Sequence, residues 1–493
     1  MDCCPSSRRQ ALVWAGLVAT LPFAESAMGA GTASAASRSA ADIRSGALLV
    51  TDLEVVTVTD TSVVITWFTG SKTEVDRYGA PTPVPTDTEL LLGEPGNPGS
   101  LRTVLHDTSP TAFHYAEVHG LEPGRAYAFI GRSAGQVAQQ SMLQFPGSGG
   151  STDAPGVFTT LVPPPGRHLF TVALCNDLHM GEQTSGIIVG DWPPSFQQDP
   201  GLPPYPEVML GAMLDDLRRP DRGADVLLVA GDLTAEARPR DVARVRQLLD
   251  GWGTLNRDYF VARGNHDRPH VGPDYTGCAP VPAADDHHDC WGDTFPYRRQ
   301  TLSSHEVGGL RIIGLDTTTL DAAGGTLDDS QLADLEHVLR HDRDRPTLLF
   351  GHHPVTFESA VTTAAGPAFD LDQRKARRLE ALYRRTPGVF FHHAGHTHRN
   401  KRTFAQESQA VEFLEVAATK EYPGGYALVR CHTGGYQVNF YKTRSDLARR
   451  WSQRTRAEYF GVWPHYTLGT IADRNHTVPR DLSGLHPVHR SGG

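Results

Sequence analysis

Five short polar stretches, each directly after an apolar run, constrain this chain more than any other feature. In chain order they are Asn176-Asp177-Leu178-His179, Gly231-Asp232, Gly264-Asn265-His266-Asp267, Gly351-His352-His353-Pro354 and Gly395-His396-Thr397-His398. The apolar runs read as short buried strands, and the glycines permit tight turns where the strands end. Because the carboxyl ends of strands in a parallel or mixed sheet share one edge, these polar residues can converge.

The predicted site combines two carboxylates, one amide and at least four imidazoles, and it contains no thiolate. Oxygen and nitrogen donors of this kind suit borderline divalent ions such as Mn, Fe or Zn. Seven donors exceed the four of a tetrahedral zinc site. Two ions that share a bridging carboxylate, roughly 3.5–4 Å apart, would use them all. We therefore expect two divalent metal ions, whose identity stays open.

The expected charge balance favours phosphate chemistry. Two divalent ions carry more positive charge than Asp177 and Asp232 can neutralise, so the centre could bind a phosphate oxyanion and activate a bound water as hydroxide. His266 would face the transferring phosphorus and either stabilise its charge or protonate the leaving oxygen. Asp267 could orient that imidazole.

In these five stretches the chain resembles the calcineurin-like metallophosphoesterase superfamily, over about residues 170–441. The resemblance implies that His266 assists phosphoryl transfer. Of the two adjacent histidines, the family usually uses the first, so His352 is expected and His353 is the alternative. The implied first metal site contains Asp177, His179, Asp232 and His398, and the implied second site contains Asp232, Asn265, His352 and His396, with Asp232 as the bridge.

Length and charge limit the remaining possibilities. The chain has 493 residues, of which 39% are hydrophobic, which is enough for two or three domains with their own cores. Its formal charge of −10 argues against a broad nucleic-acid surface, and a small phosphoester is the expected partner.

The N-terminus has the pattern of an export signal. Arg8 and Arg9 precede an apolar run from Ala11 to Phe23, and Ala33-Ser34-Ala35 fits a cleavage site. We predict a twin-arginine-type signal peptide over residues 1–35 and a secreted or cell-envelope protein. An ordinary secretory signal or an uncleaved anchor is the alternative. No later segment is apolar and long enough to predict stable membrane insertion.

Residues 46–161 are predicted to be all-β. The stretch Gly120–Tyr127 resembles the turn and tyrosine corner of fibronectin type III domains. The proline-rich linker Val162–Gly166 favours a separate sandwich, held at a set distance, over additional strands of the catalytic sheet. Such a module could contact the cell wall.

A fibronectin-like module before a metallophosphoesterase resembles the arrangement of purple acid phosphatases, with two departures. His179 stands where that family has glycine, and Ala235 stands where it has a metal-binding tyrosine. We therefore expect no tyrosinate colour, and the acid optimum and ferric site of that family do not follow.

Residues 167–445 are predicted to form an α/β metallophosphoesterase domain, with central β-sheets flanked by helices. Apolar residues at helical spacing predict four helices: Pro206–Arg219, Asp241–Leu249, Asp329–Arg340 and Gln373–Arg384. Residues 446–493 form a polar C-terminal extension without a catalytic signal, expected to wrap the surface or to be partly disordered.

The insert from Pro269 to Pro296 has two possible roles. Its run Asp285-Asp286-His287-His288-Asp289 suggests either an additional metal site or a solvated loop closed by a Cys278–Cys290 disulfide. Cys175 and Cys431 lie in apolar runs and are either a pair or buried free thiols.

The sequence thus predicts a secreted phosphoesterase that hydrolyses phosphomonoesters or small phosphodiesters by attack of metal-bound hydroxide. Two alternatives remain: a cell-wall or polymer-binding protein with a vestigial phosphoesterase domain, and a nucleotide pyrophosphatase.

Overall fold

The structure, a computed structural model, describes residues 46–141, 156–186, 196–271, 275–282, 284–405, 410–458 and 463–488. The predicted signal peptide lies outside these ranges. Among the described helices, none has the length and apolar character needed to span a membrane.

The N-terminal region is built from antiparallel strands. The nine strands in its described part are β1 (Leu48–Val58), β2 (Ser62–Val75), β3 (Pro81–Pro83), β4 (Thr86–Gly93), β5 (Arg102–Thr111), β6 (Phe113–His119), β7 (Ala126–Ser133), β8 (Gln136–Val137) and β9 (Gly156–Thr159). One sheet joins β1, β2, β3 and β6, and a second joins β5, β4, β7, β8 and β9.

These two sheets share one apolar core. Trp67 of β2, Leu90 of β4 and Phe129 of β7 belong to the same buried cluster. Within the described ranges, no strand of this region pairs with a strand beyond residue 166. The N-terminal strands therefore form a sandwich of their own, rather than an extension of the catalytic sheets.

The region from residue 167, named the catalytic region here after its predicted role, contains two six-stranded mixed sheets and one small sheet. Its described strands are β10 (His168–Cys175), β11 (Val226–Ala230), β12 (Tyr259–Ala262), β13 (His270–Val271), β14 (Ala279–Val281), β15 (Ala284–Asp289), β16 (Leu302–Val307), β17 (Leu310–Leu315), β18 (Thr347–Phe350), β19 (Val389–Ala394), β20 (Lys401–Phe404), β21 (Glu412–Glu415), β22 (Gly425–His432), β23 (Gly435–Lys442) and β24 (Asn475–Pro479). The large sheets have the orders β12-β11-β10-β22-β23-β24 and β16-β17-β18-β19-β21-β20, and the small sheet has the order β13-β15-β14.

The four predicted helices form near their expected bounds. The described helices are α1 (Tyr205–Leu217), α2 (Pro239–Trp252), α3 (Cys290–Thr294), α4 (Asp329–His341), α5 (Phe357–Thr362), α6 (Gln373–Arg384), α7 (Asp446–Thr455), α8 (Trp463–Leu468) and α9 (Ile471–Arg474). Local signals set their starts: α2 begins with Pro239 in its first turn, and the Asp372 carboxylate accepts from two backbone amides at the start of α6.

The catalytic region is layered. Leu228 of β11 and Phe391 of β19 belong to one buried cluster between the two large sheets, and Val245 of α2 joins it from outside the first sheet. Leu335 of α4 and Leu379 of α6 pack in a second cluster on the other sheet. The predicted architecture, an α/β core of central sheets flanked by helices and preceded by a strand-rich region, is confirmed.

The sandwich lies directly against the catalytic region, and hydrogen bonds between the two regions fix its position in addition to the proline linker. Thr57 Oγ1 donates to the Phe440 carbonyl (2.6 Å), and Asn439 Nδ2 donates to the Val58 carbonyl (2.8 Å). These bonds join β1 to β23 and satisfy polar groups that would otherwise be buried without partners.

The C-terminal extension is more integrated than its polar composition suggests. β24 pairs antiparallel with β23 at the edge of the first large sheet. Trp451 of α7 stacks on Tyr205 of α1, with ring centroids 4.0 Å apart. Arg474 donates to the carbonyls of Val55 and Val56 in the sandwich. The described part of the extension therefore ties the two regions together.

A buried ion cluster lies at the contact between sandwich and catalytic region. The Glu54 carboxylate accepts from Tyr422 Oη (2.6 Å), Lys442 Nζ (2.5 Å) and Arg456 Nε (3.0 Å). Burial opposes ionisation of Glu54, but Lys442 and Arg456 outweigh burial and lower its pKa to about 2. Glu54 is therefore ionised at neutral pH and forms ion pairs with two buried cations, of which Arg456 also contacts Asp52.

Replacing Glu54 with Ala should lower the free energy of unfolding by about 3–5 kcal/mol at neutral pH, because Lys442 would stay buried without its contacting carboxylate and Arg456 would keep only Asp52. Since folding lowers the Glu54 pKa, its contribution is complete above about pH 4.5 and is lost as the pH falls towards 2. Denaturant titration measures this loss. The exposed pair of Glu122 with Arg125 supplies the control, and Glu122→Ala should cost less than about 1 kcal/mol. Equal losses for both variants would contradict the assignment.

Candidate metal centre

All seven predicted metal ligands come directly after parallel strands, at one edge of the two large sheets. They are Asp177 and His179 after β10, Asp232 after β11, Asn265 after β12, His352 after β18, and His396 and His398 after β19. The strands β10, β11 and β12 pair in parallel, as do β18 and β19. The loops after β18 and β19 contact each other through a hydrogen bond, which the Gly395 amide donates to the His352 carbonyl (3.0 Å).

One group of donors surrounds Asp177. His398 Nε2 lies 3.2 Å from Asp177 Oδ1, and His179 Nε2 lies 3.7 Å from the same oxygen. The ligand atoms of these three buried residues all lie within 4.8 Å of one another. This is the first cluster, and it can hold a metal ion.

A second group surrounds His352. Its Nε2 atom lies 3.0 Å from Asn265 Oδ1 and 3.1 Å from Asp232 Oδ2. His396 Nδ1 lies 3.1 Å from the same nitrogen. Asp232, His352 and His396 are buried and offer ligand atoms within 4.8 Å of one another, with Asn265 beside them. This is the second cluster.

Asp232 belongs to both groups. Its Oδ2 atom lies 3.4 Å from His179 Nε2 of the first cluster and 3.1 Å from His352 Nε2 of the second. Its other oxygen, Oδ1, accepts from the His266 backbone amide (2.8 Å), which fixes the orientation of the carboxylate. The same oxygen atom therefore faces both donor sets.

Two buried atoms of the first cluster fit a cation. Asp177 Oδ1 and His179 Nε2 have no hydrogen-bond partner among the described residues. Asp177 Oδ2, by contrast, accepts from Asn176 Nδ2 (2.6 Å) and from the His396 amide (3.0 Å). A buried polar atom without a partner costs free energy unless something binds it. A metal ion at this position would bind both atoms.

Each histidine of the first cluster has a carboxylate behind it. His179 Nδ1 lies 2.7 Å from Glu182 Oε2, and His398 Nδ1 lies 2.7 Å from Glu421 Oε1. These contacts fix the ring orientation and leave Nε2 for a metal, as is usual for metal-binding histidines. The sequence interpretation missed both glutamates; the spacing of Glu182 three residues after His179 was the available signal.

The histidines of the second cluster donate hydrogen bonds to backbone carbonyls instead. His352 Nδ1 donates to the Ala230 carbonyl (2.8 Å), which leaves Nε2 for a metal. His396 Nε2 donates to the Phe369 carbonyl (2.8 Å), which leaves Nδ1. The imidazoles of the first cluster therefore contact charged carboxylates, whereas those of the second cluster contact neutral carbonyls.

The backbone of the site is in an uncommon conformation. Five of the seven ligands have φ between 46° and 70°, in the left-handed region that side-chain-bearing residues rarely adopt: Asp177, His179, Asp232, His396 and His398. Each such residue costs on the order of 1–3 kcal/mol, and such residues concentrate at functional sites. The surrounding hydrogen bonds hold these loops in place.

Two of the motif glycines permit close approach between strand ends. A Cβ at Gly395 would lie 2.6 Å from Asn176 Cβ and 2.7 Å from Asp177 Oδ2, and a Cβ at Gly264 would collide with the Asp232 amide nitrogen and Oδ1. A larger residue at either position would push the donor groups apart.

The two buried carboxylates of the clusters, Asp177 and Asp232, are ionised. Burial opposes ionisation of Asp177, but His398 and His179 hold its pKa well below the usual value. Burial also opposes ionisation of Asp232, and His352 and His266 keep its pKa similarly low. The surrounding imidazoles therefore stabilise the charged carboxylates that metal binding needs.

His266 lies beside the first cluster, next to His179. Its ring centroid is 4.6 Å from that of His179, and its Nδ1 donates to the Ala235 carbonyl (2.7 Å), which leaves Nε2 facing the site.

The contacts of Asp267 in the structure differ from those that its predicted role requires. Its carboxylate accepts from the amides of Leu233 (2.9 Å) and Thr234 (2.9 Å), so it fixes the loop after β11 and does not contact the His266 ring. The Ala235 carbonyl orients that imidazole instead.

The structure distinguishes the two adjacent histidines after β18. His353 Nδ1 lies 2.7 Å from Thr317 Oγ1, and its Nε2 donates to the Ala323 carbonyl (3.0 Å). Both ring nitrogens of His353 are therefore occupied, whereas His352 turns Nε2 towards Asp232. This geometry favours His352 as the ligand.

The insert after β12 is closed by the expected Cys278–Cys290 disulfide, and Cys175 and Cys431 are buried free thiols. Asp289 accepts two hydrogen bonds from Arg263 (2.9 Å each), and His287 Nε2 lies 3.3 Å from Asp321 Oδ2. These side chains hold the insert against β12 and neighbouring loops, which favours a structural role for the acidic run over an additional metal site.

Comparison with known proteins agrees with this geometry. Residues 170–400 match the family model described as Calcineurin-like phosphoesterase. This part of the chain, just under half of its length, is therefore similar to calcineurin-like phosphoesterases.

Three similar proteins place the domain in context. The chain is 28% identical over 200 residues to the 3',5'-cyclic adenosine monophosphate phosphodiesterase CpdA of Vibrio vulnificus, a match that covers 38% of this chain and 62%, less than two thirds, of that relative. It is 27% identical over 258 residues to the glycerophosphodiester phosphodiesterase GpdQ of Enterobacter lignolyticus, covering 52% of this chain and 83% of that relative. The purple acid phosphatase PPD1 of yellow lupin (Lupinus luteus) shares 14% identity and a TM-score of 0.41, over 90% of this chain and 77% of that structure.

Replacing the two adjacent histidines separately should give different results. His352→Ala should lower the amount of bound metal, because it removes a donor beside Asp232. His353→Ala should retain the metal and lower the free energy of unfolding by about 1–3 kcal/mol, because it loses two buried hydrogen bonds. Metal analysis and denaturant unfolding of both variants make the comparison. Metal loss in His353→Ala alone would reverse the assignment.

Proposed function

We propose that this protein is a phosphoesterase with a dinuclear metal centre. The observation that carries the proposal is the position of Asp232 Oδ2, within 3.4 Å of a nitrogen donor of each cluster. One carboxylate oxygen between two sets of donors is the arrangement that a bridging ligand requires. Asp177, His179, Asp232 and His398 would hold one ion, and Asp232, Asn265, His352 and His396 would hold the other.

Two divalent ions would neutralise phosphate oxygens and lower the pKa of a coordinated water. The chain's own residues supply the rest of the chemistry. His266 presents Nε2 to the site while Ala235 holds its Nδ1, so this imidazole can donate a hydrogen bond to the transferring phosphoryl group or a proton to the leaving oxygen. The rigid loops keep these groups oriented before substrate binds.

The proposed substrates are phosphomonoesters or small phosphodiesters. Both curated relatives described above are named phosphodiesterases, which favours a diester. A panel of p-nitrophenyl phosphate, its bis ester, a cyclic nucleotide, a glycerophosphodiester and a nucleotide pyrophosphate, assayed with added Mn, would rank these classes. No hydrolysis of any of them by metal-loaded protein would overturn the proposal in favour of a binding protein with a vestigial domain.

We also propose that the N-terminal sandwich is fibronectin type III-like and that the protein is exported. The strand orders β1-β2-β6 and β5-β4-β7-β9, together with the Tyr127 hydroxyl accepting from the Glu122 amide (2.9 Å), support the first proposal. The pair Arg8-Arg9 and the Cys278–Cys290 disulfide support export. Any cell-wall contact would use the outer sheet, since β5 is largely exposed while β1 packs on β23.

Asp232→Asn should lose metal rather than only activity, because the amide removes the negative charge shared by both clusters. Metal analysis should find about two ions per wild-type chain and fewer in the variant. Asp316→Asn is the matched control: Asp316 is also a buried aspartate that accepts backbone amides, but it lies outside both clusters, and its variant should retain the metal. Full occupancy in Asp232→Asn would contradict the bridging assignment.

His266→Ala should lower turnover by about 10²–10⁴-fold while the metal content stays unchanged, because the imidazole acts on the phosphoryl group rather than on the ions. Steady-state kinetics and metal analysis of the same sample separate these effects. His305→Ala, which removes a half-buried histidine that packs at a tilted angle against Phe260, serves as the control and should retain activity. Wild-type turnover in His266→Ala would show that His266 has no catalytic role.

A further inference from the structure

A buried lysine lies behind the first metal cluster. Lys420 is 1% exposed, and its Nζ lies 2.7 Å from Glu182 Oε1 and 3.0 Å from Glu421 Oε2. The remaining oxygens of the same carboxylates contact His179 Nδ1 and His398 Nδ1, each at 2.7 Å. One ammonium group therefore joins two glutamate–histidine pairs, and both pairs end at the same metal position.

This charged support is specific to one cluster. In the second cluster, His352 and His396 donate to the neutral carbonyls of Ala230 and Phe369. Carboxylate partners raise the basicity of a metal-binding imidazole and fix its ring, and their loss typically weakens metal binding about 10–100-fold. The lysine unit therefore acts on the first metal position.

The backbone holds Lys420 beside the strand ends. The Lys420 amide donates to the Asp177 carbonyl (3.3 Å), and the preceding Thr419 amide donates to the Asn176 carbonyl (3.1 Å). Trp451 Nε1 of the C-terminal extension donates to the Lys420 carbonyl (2.8 Å). The lysine is thus fixed to the loop that carries the first two ligands.

The charges within the unit compensate one another. Burial disfavours the charged ammonium, but Glu182 and Glu421 outweigh burial and raise the pKa of Lys420 above its usual value. Ser185 Oγ also donates to Glu421. Burial and the charge of Glu421 raise the pKa of the nearby Glu458 carboxyl group. Lys420 accordingly forms ion pairs with two buried glutamates at once.

We propose that Lys420 is a positioning residue for the first metal ion. It holds Glu182 and Glu421 so that His179 and His398 present Nε2 towards Asp177, and it makes that site bind its ion more tightly than it would with neutral supports. The proposal rests on the dinuclear centre proposed above, and it assigns a role to a side chain that contacts neither metal nor substrate.

The test is stepwise titration of chelator-treated full-length protein with Mn²⁺ and with Co²⁺, followed by calorimetry and by the visible Co²⁺ spectrum. Lys420→Met should weaken one of the two binding steps about 10–100-fold and alter the spectrum of that ion only. Lys420→Arg, which retains the charge, should restore most of the affinity. Glu421→Gln, which retains an acceptor oxygen for His398, should weaken the same step.

Lys442→Met is the matched control. Lys442 is also a buried lysine that binds a buried glutamate, Glu54, and its Nζ lies 4.7 Å from the ring centre of Tyr422, the residue after Glu421. It contacts no metal-binding histidine, so its variant should bind both ions with wild-type affinity.

The outcomes separate the two proposals. If wild-type protein binds two ions and Lys420→Met does so equally tightly, the role of Lys420 is refuted while the dinuclear centre stands. Equal loss in Lys420→Met and Lys442→Met would also refute it, because the effect would be general destabilisation. If Lys420→Met fails to fold, Glu421→Gln decides: an unweakened binding step there overturns the role. A wild-type protein that binds no ion would refute the centre itself.

Discussion

The shared carboxylate of Asp232 is the constraint on which the site depends. Its Oδ2 atom faces nitrogen donors from both large sheets, while its Oδ1 is held by the His266 amide. Bringing the ends of β10, β11, β18 and β19 this close requires glycines between them and left-handed backbone at five candidate ligand positions. Two layered sheets that share a large apolar core supply the stability that offsets this strain.

The sandwich and the C-terminal extension pack against the region that carries the site. The sandwich is tied to the catalytic region through the buried charge of Glu54, and the C-terminal extension adds β24 to the first large sheet and binds the carbonyl of Lys420 through Trp451. Tyr422, which donates to Glu54, follows Glu421 directly in the chain, and Glu421 contacts His398. A short segment thus connects the sandwich to a candidate metal ligand.

The sequence predicted those features that depend on neighbouring residues. The strand ends, the seven candidate ligands that the structure brings together and the helix α6 follow from local pattern and from motifs next to apolar runs. The roles of Lys420, Glu421 and Asp267 depend on tertiary contacts. Asp267 adjoins His266 in sequence, but the tight turn directs its carboxylate to the amides after β11. The strand β24 was missed because polar residues at a sheet edge carry no apolar signal.

Anomalous diffraction from crystals of the full chain, grown with Mn²⁺ or Zn²⁺, tests the central claim most directly. The account predicts two peaks, one beside Asp177, His179 and His398 and one beside Asn265, His352 and His396, with an Asp232 oxygen between them. A single peak, or two peaks that do not share Asp232, would contradict it.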